Sequence, residues 1–179
     1  PSDPSPLFEN ALRGHDGHGL DAHREALGEL FAPFTEVAAD NPSAWFRESK
    51  SAHEIATPTP GNRYIGFPYT KYMNSILDVD QGAALLMTSV AEARRLGIPE
   101  ERWVYLWGCG DATDHWFFTE RENYYSSPAI RAAGQRALGM AGVSIDEITH
   151  FDLYSCFPSA VPTARAMPGI APGDPRPLT

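Results

Sequence analysis

The sequence predicts an α/β protein in which helices pack on a sheet, preceded by a helical, loop-rich region. Three observations lead there. From residue 79 onward, short apolar runs alternate with capped helical segments, the rhythm of strands and the helices that cover them. Residues 1–78 lack that rhythm and read as a separate, mostly helical excursion. The composition, 42% hydrophobic and 21% charged, can build a core and excludes a fully disordered chain. At 179 residues the chain is one domain or a contiguous portion of a larger one.

Taken in order, Pro1 to Pro6 is a mobile tail by composition. Over residues 21–39, Leu27, Leu30, Phe31, Phe34 and Val37 fall three and four apart, an amphipathic helix kinked or interrupted by Pro33. Asn41-Pro42 ends it. The run Thr57-Pro58-Thr59-Pro60-Gly61 is a rigid connector. Residues 82–88 form a small-residue and aliphatic run suited to a buried strand. Residues 89–96 then read as a helix stopped by Gly97 and Pro99. Residues 103–109 are an aromatic-rich second strand. Ser127 and Pro128 supply an N-cap and first position for a helix ending near Gly142. Residues 150–154 make a third strand, and Pro162 sits in the first turn of a last helix.

The totals exclude several classes. A net charge of -9 leaves no basic surface for general nucleic-acid binding, although it permits a locally positive pocket for an anionic substrate. No apolar run approaches the roughly 20 residues that cross a bilayer, so no membrane role is expected. No signal-peptide pattern opens the chain, and two cysteines are too few for a disulfide framework. Reduced thiols in a cytoplasmic protein are the expectation. Opening at Pro1 and closing on APGDPRPLT, the chain reads as a fragment.

The most informative stretch is Phe151-Asp152-Leu153-Tyr154-Ser155-Cys156-Phe157, a strand entering a turn and a helix. The carboxyl end of such a strand is where α/β proteins place ligands. A cysteine there can lie near a helix N-terminus, which favours the thiolate. The bland alternative, a small buried hydrophobe, stays open on the residues alone.

This strand-turn-Cys-Phe, after a helix leading into Gly-Val-Ser-Ile-Asp-Glu-Ile, closely resembles the thiolase superfamily, in particular the sterol-carrier-protein-type thiolases and actinobacterial thiolase-like proteins. There the equivalent motif reads His-Asp-Cys-Phe. Other segments fall in the family's order. Asn41-Pro42-Ser43-Ala44-Trp45-Phe46 is similar to a loop-domain motif, and Asp80-Gln81-Gly82-Ala83-Ala84 to the strand closing the first half. Residues 129–142 resemble the helix that follows the start of the second half. The similarity runs from about Leu20 to Gly169. It implies a partial thiolase-like fold: residues 1–78 as the loop-domain region, then residues 79–179 as strands and helices spanning the end of the first half and the start of the second.

The resemblance also implies chemistry. Cys156 matches the family's acid-base cysteine, which takes a proton from the α-carbon of acetyl-coenzyme A or returns one to the departing carbanion. Tyr154 stands where the family has the His that supports the thioester oxyanion, and Ser155 stands for its Asp. A phenol can still donate a hydrogen bond. The family's nucleophilic cysteine and Gly-His-Pro loop have no counterpart in these residues, so the chain alone is expected to be inactive. The expected function is part of an acyltransferase of the acetyl-CoA acetyltransferase or 3-ketoacyl-CoA thiolase type. Its substrate would be a coenzyme A thioester, with no covalently bound cofactor, and it would work as a homodimer with a further partner protein possible. A thiolase-like aldolase cleaving a steroid side-chain thioester is the first alternative, since related aldolases use a Tyr at this place. A non-catalytic acyl-coenzyme A binder is the second.

Weaker candidates have bland readings. Cys109 reads as a core residue on the second strand. His15, His18 and His23 read as a solvated, glycine-flanked segment rather than a metal site, and no metal is expected. Asp111, Asp114 and His115 read as a solvated loop with Trp116, Phe117 and Phe118 packed beneath; lining an acyl or sterol tunnel is the functional alternative. Tyr64, Phe67, Tyr69 and Tyr72 read as the core of the helical region, with the same tunnel as alternative. Asn74 has no assigned role.

Overall fold

A computed structural model describes residues 4–76 and 78–178. The tail expected over the first residues lies outside the described residues for 1–3. Helix α1 (Ser5–His15), which no periodicity announced, takes in the last two residues of that expected tail, with Pro6 in its first turn. Helix α2 (Leu20–Asp40) follows, then the short α3 (Ala52–Ala56). Ser51 closes a capping box on α3: its hydroxyl accepts from Glu54 N, and the Glu54 carboxylate accepts from Ser51 N.

α2 runs on through Pro33, where a kink or an interruption was expected, so there is no interruption. Tertiary packing outweighs the lost backbone bond. Gly28 lies so close to α3 that a Cβ there would sit 2.3 Å from the Ala52 carbonyl oxygen, so α2 and α3 touch backbone to side. Leu27, Ile55, Ala56, Tyr69 and Met73 form the core cluster beneath them, edged by Phe31, Ala32 and Phe157. Each such aliphatic side chain, fully buried, contributes about 1.5–3 kcal/mol.

Strands β1 (Tyr64–Gly66) and β2 (Tyr69–Thr70) form a two-stranded antiparallel ladder, the only sheet among the described residues. The chain is therefore helix-rich with few strands. None of the three strands expected at 82–88, 103–109 and 150–154 is paired. A strand exists only where a neighbour about 4.8 Å away takes its backbone bonds. Among the described residues, 82–88 and 104–110 make no backbone hydrogen bond, and 150–154 makes one, Leu153 N to Leu178 O at 2.9 Å. Their side chains are correspondingly open: Leu85 is 95% exposed and Val104 90%.

These segments are nonetheless placed. The helices expected beside them form as α4 (Val90–Arg95), capped by the Ser89 hydroxyl, and α5 (Pro128–Ala141), capped by Ser127 and ended by Gly142 at φ 71. Residues 104–110 lie along α5 so tightly that a Cβ on Gly108 would meet the Ala137 carbonyl oxygen at 2.1 Å. The last helix, α6 (Ala160–Ala166), holds Pro162 in its first turn as expected. Arg176 ties the C-terminal stretch back. It donates to the Ile145 and Ile148 carbonyls at 2.8 and 2.5 Å, lies over the Phe151 ring at 4.8 Å, and is held by Asp174. The hydrogen bond from Arg176 pulls the Asp174 carboxyl down to about 2.

Asp114 organises the start of α5. Its carboxylate accepts from Ser127 Oγ at 2.6 Å, Arg121 at 2.8 Å and Ala129 N at 3.2 Å. Partial burial works to raise its pKa, but the bonds from Ser127 and Ala129 and the Arg121 charge outweigh that and hold it below the usual value. A depressed native pKa stabilises the fold above the unfolded value of about 3.9 and loses that contribution as pH falls through the native one. Asp114→Asn is expected to cost about 1–2 kcal/mol at pH 7, with the gap to the parent closing below about pH 4. Denaturant titrations at both pH values check this, and a gap independent of pH would refute it.

Candidate functional site

Residues 148–155 lead into the turn at 156–159 that precedes α6, so Tyr154 and Cys156 lie at the junction expected to carry chemistry. Tyr154 is 79% exposed, and Cys156 is half-buried. The two side chains meet: the Tyr154 hydroxyl lies 2.5 Å from Cys156 Sγ. Either atom can donate in this contact, and toward a thiolate only the phenol can. The hydrogen bond to Cys156, then its charge, hold the Tyr154 proton on and raise its pKa above 10.0. Proximity to a helix N-terminus does not act on Cys156, because α6 begins only at Ala160 and such a field fades within one turn. Tyr154 is its neighbour instead.

The backbone of the turn is held by the stretch after β2. Ser75 N donates to the Cys156 carbonyl at 3.3 Å, and the Ser155 hydroxyl donates to the Phe157 carbonyl at 2.7 Å. The Phe157 ring stacks on Tyr69 with centroids 6.0 Å apart. Behind Tyr69 stands a polar cluster. Glu9, with no exposed surface, accepts from the Tyr69 hydroxyl at 2.9 Å and pairs with His23 Nε2 at 2.7 Å. Ser159 Oγ lies 3.4 Å from the Tyr69 oxygen. Burial, reinforced by the Glu9 charge, pushes the Tyr69 phenol far up.

Several expectations are revised. Cys109 is exposed rather than core, because residues 104–110 are covered by α5 on one side only. His23 is buried on Glu9 rather than solvated; His15 stacks on Tyr125 at 4.1 Å, and His18 lies 5.9 Å from the His23 ring. Asp114 is a capping hub rather than a solvated loop residue, whereas Asp111 and His115 are exposed. Trp116, Phe117 and Phe118 are exposed, Trp116 at 90%, instead of packed beneath the loop. A hollow of about 660 Å³ opens there between Asp114, His115, Trp116, Phe117, Arg121 and Asn123. Tyr154 and Cys156 do not line it. Of the four aromatic residues between 64 and 72, only Tyr69 is core; Tyr64, Phe67 and Tyr72 are exposed. Asn74 closes a turn, its amide donating to Thr70 O at 2.6 Å.

Two segments that carried the family resemblance also touch: Trp45 Nε1 donates to the Asp80 carbonyl at 3.0 Å. No protein-family model matches the chain, and no curated protein does. Solved structures do. A monomeric SCP2-thiolase-like protein type 1 from Mycobacterium smegmatis superposes on 99% of the chain with 44% sequence identity and a TM-score of 0.88. The chain is thiolase-like. It spans 39% of that protein's length. An Ltp2–ChsH2(DUF35) aldolase matches 93% of the thiolase-like chain and 42% of its own, at a TM-score of 0.71. With 19% identity, that likeness is one of fold.

The Tyr154–Cys156 contact in this thiolase-like chain makes a direct prediction. Cys156→Ala removes the two largest of the three causes that raise the Tyr154 pKa and leaves only the desolvation, so the phenol should titrate lower than in the parent. Tyrosine carbon NMR, with Tyr154→Phe to assign the signal, reads the shift. An unmoved midpoint would dissolve the pair.

Proposed function

We propose that the chain is part of a thiolase-like acyltransferase acting on acyl-coenzyme A thioesters, of the acetyl-CoA acetyltransferase or 3-ketoacyl-CoA thiolase type, and inactive by itself. The observation carrying this reading is the contact between the exposed Tyr154 hydroxyl and Cys156 Sγ. An acid-base group must reach solvent-delivered substrate and must sit beside a donor that can share its proton.

In this reading the Cys156 thiolate takes the α-proton of acetyl-coenzyme A as the new carbon-carbon bond forms. In the cleaving direction the thiol returns that proton to the departing carbanion. Tyr154 first holds the thiolate through its O–H. As Cys156 takes up the proton, the phenol is released to donate to the thioester oxygen, where negative charge gathers. The coenzyme A thioester is substrate, and no covalently bound cofactor is invoked. The covalent acyl-carrying step belongs to residues outside this chain.

A second reading is a thiolase-like aldolase that breaks a carbon-carbon bond of a steroid side-chain thioester. Tyr154 in place of a histidine favours it, as does the fold shared with the Ltp2–ChsH2(DUF35) aldolase. That assembly also supports a partner protein as part of the proposal. The homodimer implied by family resemblance stands against a neighbour described as monomeric, and light scattering on the full-length protein separates the two. Among the described residues no helix is long and apolar enough to cross a membrane; a cytoplasmic setting is proposed on the reduced thiols.

Thiol-dependent cleavage of a 3-ketoacyl thioester by the full-length protein is the test. Cys156→Ala should lower turnover by about 10²–10⁴-fold, the usual scale for a general acid-base group. Tyr154→Phe should lower it less, by about 10-fold or more, with the fold unchanged. Turnover undiminished by either change would remove that residue from the mechanism. Retro-aldol release without a thiol acceptor would move the assignment to the aldolase.

A further inference from the structure

The polar cluster behind the turn has no part in acid-base chemistry, yet every side chain in it is buried. Glu9 is fully buried, His23 and Ser159 are more than nine-tenths buried, and Tyr69 is 1% exposed. The cluster joins the consecutive helices α1 and α2 to β2 and to the start of α6, which lie far along the chain. Burying a carboxylate is costly unless donors satisfy it. Here both oxygens are met: Tyr69 donates to one, and His23 Nε2 lies 2.7 Å from the other.

From Tyr69 the connection reaches the candidate site at three points. The ring stacks on Phe157, the residue after Cys156. The hydroxyl oxygen lies beside Ser159 Oγ, in the same turn. Farther along its own stretch, after the buried Met73, Ser75 N holds the Cys156 carbonyl. Residues 69–75 thus grip residues 156–159 from one side, and Glu9 anchors that grip from the other.

We propose that Glu9 and Tyr69 are positioning residues for Cys156: the buried Glu9–Tyr69 hydrogen bond fixes the turn that carries the thiol against Tyr154. This rests on the reading of Cys156 as the acid-base group, but its geometric content is independent of that reading. Tyr69→Phe keeps the ring stack and deletes the hydroxyl. Glu9→Leu deletes the acceptor. Glu9→Gln keeps a neutral carbonyl that still accepts from Tyr69.

The experiment is carried out on the full-length protein with two readouts. Hydrogen exchange at the Ser75 amide reports whether the Cys156 carbonyl is held. Steady-state thioester cleavage reports whether the thiol is aligned. Tyr69→Phe and Glu9→Leu are expected to speed Ser75 exchange by about 10-fold, the signature of a local opening. They should lower kcat by about 10-fold with KM within about twofold, as for loss of alignment rather than of binding. Glu9→Gln should restore both to within about twofold of the parent. Unchanged Ser75 exchange in Tyr69→Phe overturns the proposal. So does faster exchange in all three variants alike, which would mean lost packing and not a lost hydrogen bond. Should Glu9→Leu fail to fold, Tyr69→Phe and Glu9→Gln carry the comparison. If Cys156→Ala leaves turnover intact, the functional reading fails, while Ser75 exchange still decides the positioning.

Discussion

Tyr69 sits where the helical region meets the turn of Cys156, and its two ends do different work. The ring belongs to the core with Leu27, Ile55, Ala56 and Met73, and it meets Phe157. The hydroxyl belongs to Glu9, which is shared with His23. An aromatic side chain with a polar handle suits such a place, because it buries a large apolar area and still satisfies a charged neighbour. Without it, Glu9 would be a buried charge short of one donor, and α1 would lose its link to the residues around α6. The position of the candidate site in space depends on this one side chain more than on the helix that follows the cysteine.

Local signals were legible in the sequence, and long-range ones were not. The cap at Ser127, the stop at Gly142 and the proline in the first turn of α6 follow from rules that act within a few residues. All of them hold. The apolar runs at 82–88 and 103–109 carry the composition of strands, but a strand is a relation between two segments, and its partner is absent among the described residues. α1 escaped notice because its buried face includes Glu9, a residue that pattern reading places outside. Of the two outcomes Pro33 left open, a kink or an interruption, the interruption does not occur, and Gly28 packs α2 against α3.

The candidate site divides along the same line. Tyr154 and Cys156 lie two residues apart, and the motif that contains them pointed to both. Their contact is a matter of local geometry. Glu9, His23, Ser75 and Ser159 come from separate elements, and no spacing rule connects them. His23 drew interest only through its neighbours His15 and His18, and the pairing it makes is with neither. The aromatic content of residues 64–72 did point to a core, but only Tyr69 among those rings supplies it.

The bare runs around Leu85 and Leu106 have a consequence for handling the molecule. Both are uncharged, apolar and free of proline, with backbone groups ready to pair, which is the makeup of a segment that zips onto another copy. What keeps copies apart is mutual repulsion from a net charge of -9. At 0.1 M salt that repulsion reaches only about 10 Å, and near the isoelectric point of about 5.0 it vanishes. Ionic strength and acidity are thus the conditions expected to govern pairing between isolated chains.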